Sequence, residues 1–274
     1  MSYKLIASDL DGTLLSTKGD ITDENLAAIK DLAERGIIFV PVTGRAMYEM
    51  PRRVYGCEYI RYIISSNGAV IYDKQTGETV SHNFTAEQFA RIYSVLKEYE
   101  ATMTIHYALR SVADSAKVSD EVFNYYRVND YYKNHIRTHN VMRDDFDEFF
   151  SEPREAEMLS VFFRYDSELE EARSRLEAMG DIDITSSTVG NIELIRHGAL
   201  KGNALSKLTD KLGISLSDVI AAGDSRNDIS MLEIAGLALA TDNATDAVKA
   251  VSHRVICHCD ENTAEYIRDN ILKI

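Results

Sequence analysis

The stretch that decides the fold is "LIASDLDGTLLS", residues 5–16, an apolar run that ends in two acids one residue apart, Asp9 and Asp11, followed at once by Gly12 and Thr13. Carboxylates at the end of a buried strand are costly unless they are exposed, paired or bound to a metal. The same arrangement recurs along the chain: "FVPV" leads to Thr43, Gly44 and Arg45, "YIIS" to Ser66, Asn67 and Gly68, and "VIAA" to Gly223, Asp224, Asn227 and Asp228. In an open parallel sheet, ligands bind at the carboxyl ends of the strands, so these groups are expected to converge on one edge.

The pattern around these runs supports such a sheet. "YKLIAS", "IIFVPV" and "YIISS" read as strands, with "TDENLAAIKDLAERG" as a crossover helix burying Leu26, Ile29, Leu32 and Ala33, and "AVIYDKQTGETVSH" as a hairpin turning at Thr76-Gly77. From about residue 84 the strands become half polar and alternate, which suits a sheet with one solvent-facing side and helices on the other. "DEVFNYYRVNDYYKNH" reads as one helix in this stretch, and after "NIELI" the first pattern resumes. The expected class is α/β: a parallel-sheet core, residues 1–83 and 190–274, interrupted by an inserted α/β domain at 84–189.

Composition narrows the function classes. With 274 residues there is room for two domains, and 45% hydrophobic with 27% charged residues is ordinary for a globular protein. A formal net charge of -14 argues against nonspecific nucleic-acid binding, while a small anionic ligand would need a local positive site. The absence of an apolar run near the length that spans a bilayer, together with early acidic residues, predicts a cytoplasmic protein without membrane attachment. Cys57, Cys257 and Cys259 are odd in number and lack zinc-motif spacing, so all three read as reduced thiols. The histidines, His258 among them, likewise show no ligand spacing.

Asp9, Asp11, Asp224 and Asp228 brought together would be like charges that take up protons unless a cation joins them. Oxygen-only ligands favour a hard dication, Mg²⁺ first. For a phosphate beside it, Thr43 offers a hydroxyl, Gly44 and Arg45 open a helix with free amides, Lys201 supplies a point charge, and Asn227 donates an amide hydrogen. Asn67 and Gly68 read as loop-shaping residues, and the aromatic stretch "FNYYRVNDYYKNH", residues 123–135, as packing.

"DLDGTLL", "TGR", "SSNGAVIYD", "LKGNAL" and "GDSRNDISML" resemble, in order and spacing, the motifs of the haloacid dehalogenase superfamily, most closely its Cof-type sugar-phosphatase branch. The resemblance implies a Rossmann-like core, a substrate-selecting α/β cap and Mg²⁺-dependent hydrolysis of phosphate monoesters of small metabolites. It implies Asp9 as the nucleophile that becomes an aspartyl phosphate, and Asp11 as general acid and base. Thr43, Gly44, Lys201 and Asn227 would hold phosphate. Asp9, the Asp11 carbonyl and Asp224 would hold metal, with Arg45 and Asp228 in support. Alternatives are a phosphomutase or other phosphotransferase using the same intermediate, or a phosphometabolite-binding module without turnover. "LALATDNA" and "HCDENTAEYI" depart from the family pattern.

Overall fold

The structure, a computed structural model, describes residues 3–274. The chain packs as two compact units, one comprising residues up to Gly44, Met50–Val80 and Leu200–Ile274, the other Arg45–Glu49 and Ser81–Ala199.

In the first unit, β1 (Leu5–Ser8) is buried at every position. It is followed by α1 (Asp23–Glu34), whose start is set by Thr22: its hydroxyl oxygen accepts the Asn25 N–H at 3.2 Å. Asp23 and Glu24 add favourable charge to that end. The buried face of α1 is Asn25, Ala28, Ile29 and Leu32, whereas Leu26 and Ala33, expected inside, are half-exposed. The face is rotated because Asn25 is drawn in by hydrogen bonds: Nδ2 donates to the Leu14 carbonyl at 3.0 Å and Oδ1 accepts the Ala264 N–H at 2.8 Å.

Strand β2 (Ile38–Pro41) ends on its proline, as expected for a residue without a ladder donor. Strands β3 (Tyr62–Ser65), β4 (Val70–Asp73) and β5 (Thr79–Ser81) form a three-stranded sheet in that order. The hairpin turns at Gly77, which has φ +74° and an N–H that donates to the Asp73 carbonyl at 2.8 Å.

The second unit contains α2 (Ala86–Leu96), β6 (Ala101–Tyr107), β7 (Arg110–Asp114), β8 (Val141–Arg143), β9 (Met158–Phe163), α3 (Asp166–Glu177), β10 (Ile182–Thr185) and β11 (Asn191–Arg196). The strands lie in the order β10-β11-β9-β6-β7-β8, antiparallel except for β7 and β8. Phe89, Ile105, Leu159, Val161, Leu176 and Leu194 share the core on one face. The expected solvent-facing side is a correction. Thr102, Thr104, His106, Ser111, Ser160 and Glu193 are all buried, and Phe162 packs with Ala113, Phe123, Val128 and Ile136 in a second small core. The expected long helix is broken into Asp120–Tyr125 and Asp130–His139, because Arg127 takes φ +60° and Asn129 caps a new start, its Oδ1 accepting the Tyr132 N–H at 3.0 Å. Strand β11 pairs with β9 and β10 and buries Ile192 and Leu194 in their core, so this unit runs past residue 189, and "NIELI" belongs to it rather than to the returning sheet.

The chain returns through α4 (Lys201–Leu212), β12 (Val219–Gly223), β13 (Leu237–Ala240) and β14 (Arg254–Val255). These complete a parallel sheet of order β14-β13-β12-β1-β2. A parallel bridge between Val42 and Ile64 carries pairing on toward β3. Leu5, Ala7, Val40, Val219 and Ala221 pack with Ala204, Leu205 and Leu208 of α4. Among the described residues no helix is long and apolar enough to cross a membrane.

Candidate active site

The chemistry-bearing residues of the first unit meet at the carboxyl ends of β1, β2, β3 and β12, where α4 begins. Strand β1 stops at Ser8, and a turn follows: the Thr13 N–H donates to the Leu10 carbonyl at 3.2 Å and the Leu14 N–H to the Asp9 carbonyl at 3.2 Å. The two acids are therefore presented by a turn. Leu10, fully buried, anchors it between them. Gly12 takes φ +82°, and a Cβ there would lie 2.6 Å from Asp224 Oδ2, so only glycine admits this close approach.

Lys201, the first residue of α4, is fully buried, with Nζ 2.7 Å from Asp9 Oδ1 and 2.6 Å from Asp228 Oδ1. The second oxygen of Asp228 accepts the N–H groups of Asp224 and Ser225, both at 2.9 Å. Asp228 thus ties the loop after β12 to the lysine. Gly223 makes room for it, since a Cβ there would sit 2.5 Å from Asp228 Cβ. Asp224 accepts from the Thr13 hydroxyl at 3.1 Å and the Ser225 hydroxyl at 2.9 Å. Oxygens of Asp9, Asp224 and Asp228 all lie within 4.8 Å of one another.

Three carboxylates share this pocket with one ammonium, and the electrostatics follow. Burial, then the charge of Asp228, pushes the Asp9 carboxyl well above the usual carboxylate range, with Lys201 opposing; Asp11 is among the charges that raise it. Burial and Asp228 likewise push Asp224 up to about 7. Burial alone would lower Lys201, but the charges of Asp228 and Asp9 outweigh it and raise its pKa, keeping it an ammonium. The site lacks positive charge, and a dication is the species that would let all three acids ionise. The donor set fits one: hard oxygens only, beside a cradle that the Cβ of any residue other than glycine at position 12 would fill.

Thr43 follows β2, where its N–H donates to the Ile64 carbonyl at 2.9 Å and its carbonyl accepts the Asn67 N–H at 3.0 Å. Gly44 packs by Asn67, a Cβ at position 44 falling 3.1 Å from Asn67 Oδ1. The helix expected to open at Gly44 and Arg45 is absent: residues 43–46 are bent coil, followed by a three-residue 3₁₀ turn, Met47–Glu49. The Arg45 guanidinium is engaged within the second unit, donating to the Glu49 carbonyl and the Tyr131 hydroxyl, each at 3.1 Å. Asn227 Nδ2 donates to Asn67 Oδ1 at 3.1 Å, while its buried Oδ1 has no hydrogen-bond partner among the described residues. Ser66 and Asn67 hold left-handed backbone at φ +50° and +55°, a conformation that costs non-glycine residues about 1–2 kcal/mol each.

Residues given no part in the chemistry by the sequence complete the arrangement, Asn67 among them, which reads there as loop-shaping. Thr13 and Ser225 orient Asp224, Asn67 joins Thr43 to Asn227, and Asn243 Nδ2 donates to the Gly12 carbonyl at 2.8 Å. Thr13 was visible in the motif that carries the acids. Asn243 had no local signal.

Residues 6–266 match the family model described as haloacid dehalogenase-like hydrolase. The chain is 30% identical over 292 residues to phosphatase YwpJ of Bacillus subtilis, covering 98% of this chain and 100% of the relative. It is 31% identical to the 5-amino-6-(5-phospho-D-ribitylamino)uracil phosphatase YcsE of the same organism, covering 98% and 91%. A solved haloacid dehalogenase-like hydrolase from B. subtilis superposes with a TM-score of 0.83 at 29% identity, covering 98% and 99%. Set beside a parallel-sheet edge that gathers these acids and Lys201, the matches identify the chain as a member of the haloacid dehalogenase-like hydrolase family, and as a phosphatase within it.

Proposed function

We propose that this phosphatase is Mg²⁺-dependent and hydrolyses the phosphate monoesters of small metabolites, sugar phosphates first among them, through an aspartyl phosphate on Asp9. The observation that carries the reading is the buried meeting of Asp9, Asp224 and Asp228 around Lys201. The printed name of YcsE, whose substrate carries a phosphorylated ribityl chain, supports a sugar-like ester.

Asp9 attacks phosphorus, and the ester oxygen leaves as an alcohol once Asp11 gives it a proton. Asp11, now a carboxylate, takes a proton from the water that cleaves the acyl phosphate, so one group serves both half-reactions. Lys201 orients the Asp9 carboxylate and places positive charge beside it. Thr43, Gly44 and Asn227 are assigned to hold the phosphoryl oxygens, with Asn67 bracing two of them. Arg45 and Asp228 act in support, Asp228 by positioning Lys201. Asp9, Asp224 and the Asp11 carbonyl would hold a dication, which when bound would supply neutralisation of the phosphoryl oxygens that repel the nucleophile. The inserted unit is assigned the selection of the leaving group.

The test is phosphate release from a panel of sugar phosphates, nucleotides and phosphorylated cofactors, with Mg²⁺ or with chelator. Release is expected to need Mg²⁺, to vanish in Asp9→Asn, and to fall by about 10²- to 10⁴-fold in Asp11→Asn. Wild-type release by Asp9→Asn would overturn the nucleophile.

A further inference from the structure

His258, Cys259 and Asp260 form a second group of ligand-type side chains in the first unit, unused by the chemistry above. They follow β14 and open a three-residue 3₁₀ turn, Cys259–Glu261. Consecutive residues lack the spacer of common zinc motifs, yet the backbone curls so that all three side chains reach one point. Cys259 Sγ lies 3.7 Å from His258 Nδ1, and His258 Nδ1 lies 3.6 Å from Asp260 Oδ2. Donor atoms of all three lie within 4.8 Å of one another.

A tetrahedral zinc ion, with bonds of about 2.0–2.3 Å, holds its donors about 3.3–3.6 Å apart. Two of the three separations already approach that edge length, and the third lies within 4.8 Å. His258 Nδ1 accepts the Asp260 N–H at 3.2 Å, so its one lone pair is directed into the turn, and a metal would take the place of that N–H. The Thr17 N–H and hydroxyl donate to Asp260 Oδ1 at 2.8 and 3.0 Å, holding the carboxylate in place as outer-shell donors do. A thiol, an imidazole and a carboxylate together suit a zinc-class ion, unlike the all-oxygen cluster at Asp9.

We propose that His258, Cys259 and Asp260 form a three-ligand site for a zinc-class dication, separate from the acidic cluster and completed by solvent. Binding makes a sulfur–metal bond and breaks the S–H bond, releasing that proton to solvent. Burial and the charges of Asp260 and Asp224 hold the free thiol up at about 11, and the same negative charges attract a dication. The site is also joined to the turn between Asp11 and Thr13: the Cys259 N–H donates to Asn243 Oδ1 at 3.0 Å, and Asn243 Nδ2 to the Gly12 carbonyl at 2.8 Å.

The test is titration of the full-length, metal-stripped protein with Co²⁺, read by the near-ultraviolet thiolate-to-cobalt charge-transfer band. One equivalent is expected to produce the band and Zn²⁺ to abolish it. Cys259→Ser should lack it, and His258→Gln should need at least ten-fold more Co²⁺. Cys57→Ser, Cys257→Ser and Asp224→Asn should retain it. The proposal is overturned by a wild-type protein without the band, by a band surviving in Cys259→Ser, or by its loss in Cys57→Ser, Cys257→Ser or Asp224→Asn. Should Cys259→Ser lose its native circular dichroism, His258→Gln binding Co²⁺ as tightly as wild type overturns the proposal instead.

Discussion

Asp228 shows how much one buried side chain organises. Its two oxygens serve Lys201 and two backbone N–H groups, so truncation leaves the buried ammonium with Asp9 alone and strands two backbone donors. Asp228→Ala is expected to destabilise the protein by about 3–5 kcal/mol in urea unfolding, beyond any loss of activity. Gly12 is constrained differently, by φ +82° and by the 2.6 Å approach of a Cβ to Asp224 Oδ2. Gly12→Ala should cost about 1–2 kcal/mol in backbone conformation. It should also weaken Mg²⁺ binding by displacing Asp224, which calorimetry would show. A variant that bound Mg²⁺ like wild type would place the ion elsewhere.

At the scale of elements, the turn Met47–Glu49 carries a buried acid into the second unit. Glu49 Oε2 lies 3.5 Å from His135 Nε2 and accepts the Ala46 N–H at 2.9 Å. Burial would raise this carboxyl, but the hydrogen bond and charge of His135, with the charge of His106, hold it at about 2. A pKa below the unfolded value means that Glu49 stabilises the fold above about pH 4.5, and that this contribution is lost as pH falls through about 2. Glu49→Ala is expected to lower stability by about 3–5 kcal/mol at neutral pH, with the difference from wild type shrinking in acid melts. An undiminished difference at pH about 2 would remove the ion pair from the account.

For the whole molecule, the acidic site links folding to pH and, on the proposed function, to metal. Asp224 near 7 in the metal-free fold, against 3.8 as the reference value, means the folded state binds a proton more tightly over that range. Its contribution to stability therefore falls as pH rises from about 4 to about 7 and is flat above. On the proposed Mg²⁺ dependence, the ion at the ionised site is expected to reverse this, adding about 2.7 kcal/mol at a hundred times its Kd. Thermal melts across pH should show metal-free wild type declining relative to Asp224→Asn between pH about 4 and 7, with Mg²⁺ restoring wild type alone. Parallel curves with and without Mg²⁺ would sink the linkage.

The sequence by itself determined the parallel sheet, its crossover helix and the list of acids, because buried runs such as "LIAS" and "VIAA" and helical periodicity are local signals that any partner would satisfy. The family resemblance was legible for the same reason, its motifs being short and in order. What only the tertiary structure decided depends on distant partners: Asn25 turned inward by Leu14 and Ala264, a polar sheet face buried and not solvated, β11 claimed by β9 and β10, and His258, Cys259 and Asp260 curled to one point. Spacing rules assume a regular helix or strand. At the ends of strands, turns decide where a side chain goes, and a turn is set by what it packs and bonds against.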